Sequence, residues 1–195
     1  MAGPDALHTP DLLRWVAMKQ LVVLLLLAAP LFGQSEIDKI YDEDQKVREG
    51  DFFKQDVAKV MAQDAAHRKR VRELLNSGTL TTGKEFEKAA FVFQHGDAPD
   101  DFLFAHILAM VAVKKGNADA IWIAAATLDR YLNKIGQPQV LGTQFHFDNN
   151  QPWTMEPYNR ELLSDALRRE LKVPPLAEQT KQLEEIRKSQ AAAAK

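Results

Sequence analysis

The segment from Phe102 to Val113 constrains the fold of this chain more than any other. It reads FLFAHILAMVAV, and His106 is its only polar residue. A helix of this composition is apolar on every face, and such helices lie inside a bundle. The sequence therefore predicts a central helix with His106 buried in it. A buried imidazole needs hydrogen-bond partners, because leaving it without them costs about 1–3 kcal/mol.

The chain around this helix has the pattern of consecutive helical hairpins. Helices are predicted over about 84–95, 99–115 and 118–134, and a glycine follows each one closely. The connections are short, so neighbouring helices should lie antiparallel. Similar hairpins build helical repeat proteins, although no convincing repeat of 20–50 residues is present here. We expect a mainly α fold, a bundle of repeat-like antiparallel helical hairpins.

A charged, helix-forming segment precedes these hairpins. Residues 34–50 form a charged helical lead that ends at Gly50. Asp51 is placed to cap an amphipathic helix that continues to about Asn76. The helical domain itself is predicted to span 51–176.

The character of the chain changes after Gly136. Strand-like residues on either side of a polar turn predict a small C-terminal β-hairpin near 140–155. A short helix is expected over 161–171. Residues 177–195 are predicted to form a charged C-terminal helix with a frayed tail.

The composition of the N-terminus predicts an export signal. The apolar run from Leu21 to Phe32 is shorter than the roughly 20 residues that span a membrane, and it matches a signal-peptide core. Met18 and Lys19 begin a better signal than Met1 does. We therefore interpret 18–33 as a signal peptide and 1–17 as a mis-annotated extension, and expect a periplasmic or secreted protein. An uncleaved anchor and a buried core helix are the alternatives.

Composition excludes several classes of function. The 195 residues include no cysteine, which excludes disulfides, thiol catalysis and cysteine-ligated metals. Acidic residues number 27 and basic residues 25, for a net charge of -2. Nucleic-acid-binding proteins normally carry a basic surplus, so we expect no nucleic-acid partner.

Helical geometry suggests a polar pair between two of the hairpin helices. His106 and Asp129 lie at similar levels on neighbouring antiparallel helices, and Arg130 points to the opposite side from the core. One interpretation is a buried pair that fixes helix register. The other is a catalytic histidine oriented by a carboxylate, with His106, Asp129 and Arg130 as candidates. No serine motif accompanies the pair, so a general base acting on water is the simplest chemistry.

The irregular segment 136–144 is the strongest candidate for ligand binding. Binding residues concentrate on loops held by a rigid scaffold. Gln139, Thr143 and Gln144 offer polar groups, and Gly142 allows close approach of the backbone. The alternative is that these amides satisfy backbone groups around an awkward turn.

His95 is a further candidate, at the end of its helix. A histidine in a last turn usually complements the helix dipole. The alternative interpretation is a metal site formed by His95 with Asp97 and Asp101. His95 lies too far from His106 for both to bind one ion. We expect no metal and no cofactor.

Several short segments occur together in a recognisable order. They are QHG at 94–96, LDR at 128–130, GQPQ at 136–139 and GTQ at 142–144, with Ala105-His106, Asp165, Arg168 and Val173-Pro174. This order resembles an uncharacterised bacterial family of small helical proteins, a domain of unknown function, over about residues 55–176. The resemblance implies no activity. The residues it places in the family pattern are Gln94, His95, His106, Asp129, Arg130, Gln139 and Gln144.

Three functions fit these observations. We favour an exported binding or protein-interaction module, whose partner is an unknown protein or a small polar ligand. The alternative is a hydrolase-like enzyme that uses His106 and Asp129 with Arg130 or Gln144. A structural protein of the cell envelope is the third. Contact with the membrane is expected only through the N-terminal signal.

Overall fold

Helices dominate the computed structural model of the chain, which describes residues 34–49, 56–147 and 151–193. Residues Glu36–Lys195 form one compact unit. The helices of the described ranges are α1 Glu36–Arg48, α2 Val57–Asn76, α3 Gly83–Phe93, α4 Pro99–Lys114, α5 Ile121–Lys134, α6 Asp165–Glu170 and α7 Leu176–Ala193. A 3₁₀ turn over Ala118–Ala120 leads into α5. The mainly helical fold is confirmed.

Local capping explains where these helices begin. The Thr82 hydroxyl accepts a hydrogen bond from the Glu85 N–H, and the Glu85 carboxylate accepts one from the Thr82 N–H, so a capping box starts α3. Asp56 caps α2. The predicted cap Asp51 lies outside the described residues.

The α4 helix is not enclosed on every side. It packs against α3 and α5 through small residues, Ala105, Ala109 and Ala112, which let the helices approach closely. Its other side stays at the surface, where Ile107 is 48% exposed and Met110 is 47% exposed. The prediction of a fully buried central helix is wrong, because no described element covers this second face.

The first two helices complete the main core. Ile37 and Ile40 on α1 and Val71 and Leu74 on α2 are buried together with α3, α4 and α5. These positions recur at three- and four-residue steps, as an amphipathic helix requires. The predicted charged lead is therefore part of the packed fold through α1.

The C-terminal region packs on α5 without forming a sheet. The described residues contain no strand. The hairpin predicted near 140–155 is reduced to one antiparallel bridge between His146 and Thr154, and its turn, 148–150, lies outside the described residues. A parallel bridge joins Gln139 to Tyr158. The hairpin does not form over 140–144 because side chains take the backbone N–H groups there, as described below.

Two small apolar clusters hold this region in place. Leu141 and Val173 pack with Ala125 of α5, and Met155 and Tyr158 pack with Leu183 of α7. The predicted short helix begins later than expected, because Ser164 caps α6 with its hydroxyl. The last helix runs from Leu176 to Ala193, within one residue of the start of the segment predicted for it and its tail.

None of the described helices is long and apolar enough to cross a membrane. The segments predicted as extension and signal peptide, 1–17 and 18–33, lie outside the described residues.

Candidate functional site

Asp129 organises the loop that follows α5. Its carboxylate is fully buried and accepts hydrogen bonds from the backbone N–H groups of Val140 (2.8 Å), Leu141 (3.0 Å) and Thr143 (2.9 Å). The Thr143 hydroxyl adds a further bond of 2.8 Å. Both carboxylate oxygens are thus used by this loop, residues 139–144, which we call the clamp loop. The chemistry of Asp129 is to hold backbone, as an anion that accepts several N–H groups does.

The opposite side of the clamp loop is held by two buried side chains. The Leu141 carbonyl accepts hydrogen bonds from Arg168 Nη1 (2.9 Å) and Gln179 Nε2 (2.8 Å). Tyr158 donates its hydroxyl to Gln179 Oε1 at 2.8 Å. Burial raises the pKa of Tyr158, while the positive charge of Arg168 opposes this shift and the negative charge of Asp129 adds to it. The buried charges of Arg168 and Asp129 therefore both act on the phenol of Tyr158.

The amides predicted to bind a ligand are largely used within the loop. Gln139 is fully buried, donates to the Gln144 and Met155 carbonyls and accepts from the Gln144 N–H. The Gln144 amide donates to the Ala126 carbonyl (3.2 Å) and to the Thr143 hydroxyl (2.9 Å). Gln139 and Thr143 thus maintain the loop conformation. Gln144 does this too, but it also borders a cavity.

Gly142 is required where the clamp loop meets Gln179 and Tyr158. Its φ is +78°, and an added Cβ would lie 2.2 Å from Gln179 Oε1 and 2.5 Å from the Tyr158 hydroxyl. We expect Gly142→Ala to lower the free energy of unfolding by about 3 kcal/mol, since backbone strain and overpacking both contribute. Urea unfolding followed by circular dichroism measures this.

Gly136 supplies the matched control for that substitution. Its φ is +72°, but an added Cβ would meet nothing within 4 Å. Gly136→Ala should therefore cost only the backbone strain, about 1 kcal/mol. Equal losses at the two positions would contradict the close packing inferred around Gly142.

His106 and Asp129 do not pair. His106 Nδ1 donates to the Ala124 carbonyl at 2.8 Å, and Asp129 bonds to the clamp loop instead. His106 is half-buried rather than sealed in the core. Its ring borders a cavity of about 220 Å³ between α4, α5 and the C-terminal region, whose lining is almost entirely carbon. The described residues of that lining include no hydroxyl, amine or carboxylate beside the imidazole.

His95 belongs to a buried ionic network instead. Its Nδ1 lies 3.0 Å from the carboxylate of Asp44, which is fully buried on α1. Arg48 contacts the same carboxylate and also Asp64 of α2, at 2.8 Å. This network joins α1 and α2 to the end of α3. Asp97 and Asp101 lie beside Arg68 instead, each at 3.8 Å.

Arg130 borders the most polar of the described cavities. This cavity has a volume of about 660 Å³, in the range of small-molecule sites, and we call it the Arg130 pocket. Its polar walls come from Asn133, Lys134, Gln144 and His146. Phe102, Phe145, Gly136 and Pro157 complete the lining. No carboxylate is found among the described lining residues.

The guanidinium of Arg130 has no ionic partner among the described residues. Its Nε is buried without a hydrogen bond. Burial lowers the pKa of Arg130, and the nearby positive charge of Arg48 lowers it further. Arg48 itself pairs with Asp44 and Asp64. A mostly buried cation without a counter-ion is costly, which marks it as a candidate for ligand binding.

The structure thus separates the predicted site residues. Arg130 and Gln144 meet in one pocket, His106 borders another cavity, and His95 lies in the α1–α3 network. Sequence reasoning missed Asn133 and Lys134, which follow Arg130 at three and four residues and so share its face of α5. That spacing was the signal that could have found them. Among the described residues, no group of three histidine or acidic side chains could hold a metal ion.

Comparisons with models of protein families, with curated proteins and with solved structures found no match. The family resemblance drawn from the sequence stays a prediction, and the functional assignment depends on the geometry of the pocket.

Proposed function

We propose that this protein is a binding module that recognises the anionic group of a small ligand in the Arg130 pocket. The observation that carries this proposal is the Arg130 guanidinium, which borders a cavity of about 660 Å³, has a buried Nε without a hydrogen bond and has no ionic partner among the described residues. A carboxylate or phosphate group would supply the missing counter-ion and accept hydrogen bonds from the guanidinium.

The charges around the pocket support an anion over a cation. Lys134 lines the pocket and Arg48 lies close enough to act on Arg130. The described lining lacks acidic residues, so a cationic ligand would find no counter-charge there. Gln144 and His146 offer hydrogen-bonding groups for orientation.

The clamp loop gives this pocket a rigid wall. Gln144, which contacts the Arg130 pocket, is fixed by its bonds to Ala126 and Gln139. A preformed wall lowers the ordering cost of binding. In this proposal Asp129, Gln139 and Thr143 act as positioning residues, and Arg130 contacts the ligand.

Titration with sodium acetate, followed by two-dimensional NMR of the ¹⁵N-labelled full chain, tests this function. We expect saturable shifts that centre on Arg130, Asn133 and Gln144, and we expect Arg130→Gln to abolish them. Inorganic phosphate in a parallel titration distinguishes the two anion classes. The readout suits weak binding, which is expected for a small probe.

Arg169→Gln is the matched control, because Arg169 is an exposed arginine on α6. This variant should bind acetate as the unmodified protein does. Shifts that persist in Arg130→Gln, or that spread over all exposed basic residues, would refute the proposed site.

The hydrolase alternative receives no comparable support. Its two central residues, His106 and Asp129, have different partners, and the cavity beside His106 is lined by carbon. We therefore favour binding over catalysis.

Export of the protein is part of the same proposal. Its basis is the apolar run from Leu21 to Phe32 behind Lys19. A periplasmic or secreted protein of this kind would meet its ligand outside the cytoplasm. Fractionation of producing cells, with N-terminal sequencing of the mature chain, tests the location.

A further inference from the structure

A second, aromatic cavity adjoins the Arg130 pocket. It has a volume of about 680 Å³ and lies between α7 and the side chains of Phe145, Phe147 and Trp153. Phe145, Phe147 and Trp153 form one wall, and Ile186 lies in the wall formed by α7. Its lining is mostly carbon. We call it the aromatic groove.

One aromatic ring of this groove, that of Phe147, is exposed to solvent, and Phe145 and Trp153 are half-buried. Phe147 is 45% exposed, and its ring centroid lies 4.7 Å from that of Trp153. Arg187 of α7 donates to the Trp153 carbonyl and so ties this wall to the helix. Paired aromatic rings at the surface contribute large apolar contact area to a ligand at low entropic cost.

The two cavities meet at one side chain. Phe145 borders the aromatic groove on one side and the Arg130 pocket on the other. A ligand whose anionic end lies at Arg130 can therefore extend past Phe145. Its body would then lie on Phe147 and Trp153.

Charge separates the roles of the two parts. The Arg130 pocket carries Arg130 and Lys134, whereas the aromatic groove carries Glu185 on α7. Glu185 would repel an anion, so the groove suits an uncharged segment of the ligand. The two halves together are complementary to a molecule that is anionic at one end and apolar along its length.

We propose that the ligand is an amphipathic monocarboxylate, with its carboxylate at Arg130 and its apolar chain in the aromatic groove. This inference rests on the proposed anion site and adds the class of ligand. Each methylene group buried in such a groove raises affinity by roughly fourfold. A chain of ten carbons should therefore bind far more tightly than acetate.

The test compares three probes on the full chain by the same NMR titration. Sodium acetate carries the anion alone, 1-decanol carries the chain alone, and sodium decanoate carries both, below its micelle concentration. We expect decanoate to bind at least tenfold more tightly than acetate and than decanol. Shifts should then include Phe147 and the side-chain N–H of Trp153.

Variants separate this inference from the proposed function. Phe147→Ser should remove most of the tenfold advantage of decanoate, while Leu162→Ser should keep it, because Leu162 is also exposed (59%) but borders neither cavity. Arg130→Gln should weaken decanoate to the level of decanol.

The other outcomes distinguish an error in the ligand class from an error in the anion site itself. If acetate binds through Arg130 but decanoate gains nothing, or keeps its advantage in Phe147→Ser, the ligand class is wrong and the anion site stands. If decanoate depends on Phe147 but not on Arg130, the two cavities do not act together and the inference fails. If Arg130→Gln changes neither acetate nor decanoate binding, the proposed function itself is wrong.

Discussion

Asp129→Asn is expected to lower the free energy of unfolding by about 3 kcal/mol, the largest loss we predict for an isosteric change in this protein. The carboxylate accepts hydrogen bonds from three backbone N–H groups and one hydroxyl, shared between its two oxygens. An asparagine of the same size presents one oxygen and one NH₂ group. The NH₂ group would face donors, and these donors would lose their acceptor inside the protein.

Urea unfolding at neutral pH measures this loss, with Asp119→Asn as the control. Asp119→Asn is the same chemical change at an exposed position, where the Asp119 carboxylate pairs with Lys172 and Lys84. Exposed pairs of this kind contribute about 0–1 kcal/mol, so the control should be nearly neutral. A loss at Asp129 no larger than the loss at Asp119 would mean that the clamp loop does not depend on this carboxylate.

Arg130→Met is expected to act in the opposite direction and to raise the free energy of unfolding by about 1–2 kcal/mol. The guanidinium is mostly buried, its Nε has no hydrogen bond, and its charged neighbour is another cation, Arg48. Methionine keeps the apolar stem of the side chain and removes the uncompensated charge. The same substitution should abolish acetate binding.

A gain in stability together with a loss of binding would be the signature of a residue kept for function. Arg169→Met provides the control, because an exposed arginine should change the free energy of unfolding by no more than about 0.5 kcal/mol. A clear loss of stability in Arg130→Met would instead show that Arg130 is a structural residue, and the binding proposal would lose its main support.

The two substitutions test neighbouring residues with opposite roles. Asp129 and Arg130 are consecutive on α5, so their side chains leave the helix in different directions. Asp129 faces the clamp loop, where every acceptor position is used. Arg130 faces a cavity, where it has no described ionic partner. One position contributes to the fold and its neighbour is available to a ligand.

Helix positions followed from local sequence because their causes are local. The capping box of Thr82 and Glu85 lies within one turn of α3, and the glycines after α4 and α5 lie close to the ends of those helices. The mainly helical class could be predicted for this reason.

The described residues do not show the predicted hairpin beyond one bridge, and the reason is not local. Residues 140–147 have strand-like side chains, but the N–H groups of Val140, Leu141 and Thr143 bond to Asp129. Those N–H groups cannot also pair with a second strand. The residues of the segment do not reveal this competition for its N–H groups, because Asp129 belongs to the preceding helix.

The candidate site residues, too, could be predicted from the sequence only in part. The sequence singled out the polar residues after α5 as candidates, but it could not distinguish amides that hold backbone from side chains that line a cavity. The pairing of His106 with Asp129 was inferred only from the similar positions of the two residues along neighbouring antiparallel helices. It failed because the clamp loop reaches Asp129 and satisfies both of its carboxylate oxygens.

By itself, then, the sequence determined the helices, the absence of thiol chemistry and the residues from which a site could be built. Only the tertiary structure decided that Arg130 has no ionic partner among the described residues. The charged group that the fold brings close enough to lower the pKa of Arg130 is Arg48 of α1, whose own carboxylate partners are Asp44 and Asp64. Helical propensity and capping act over a few residues, whereas the pairing of buried charges depends on which groups the fold brings together.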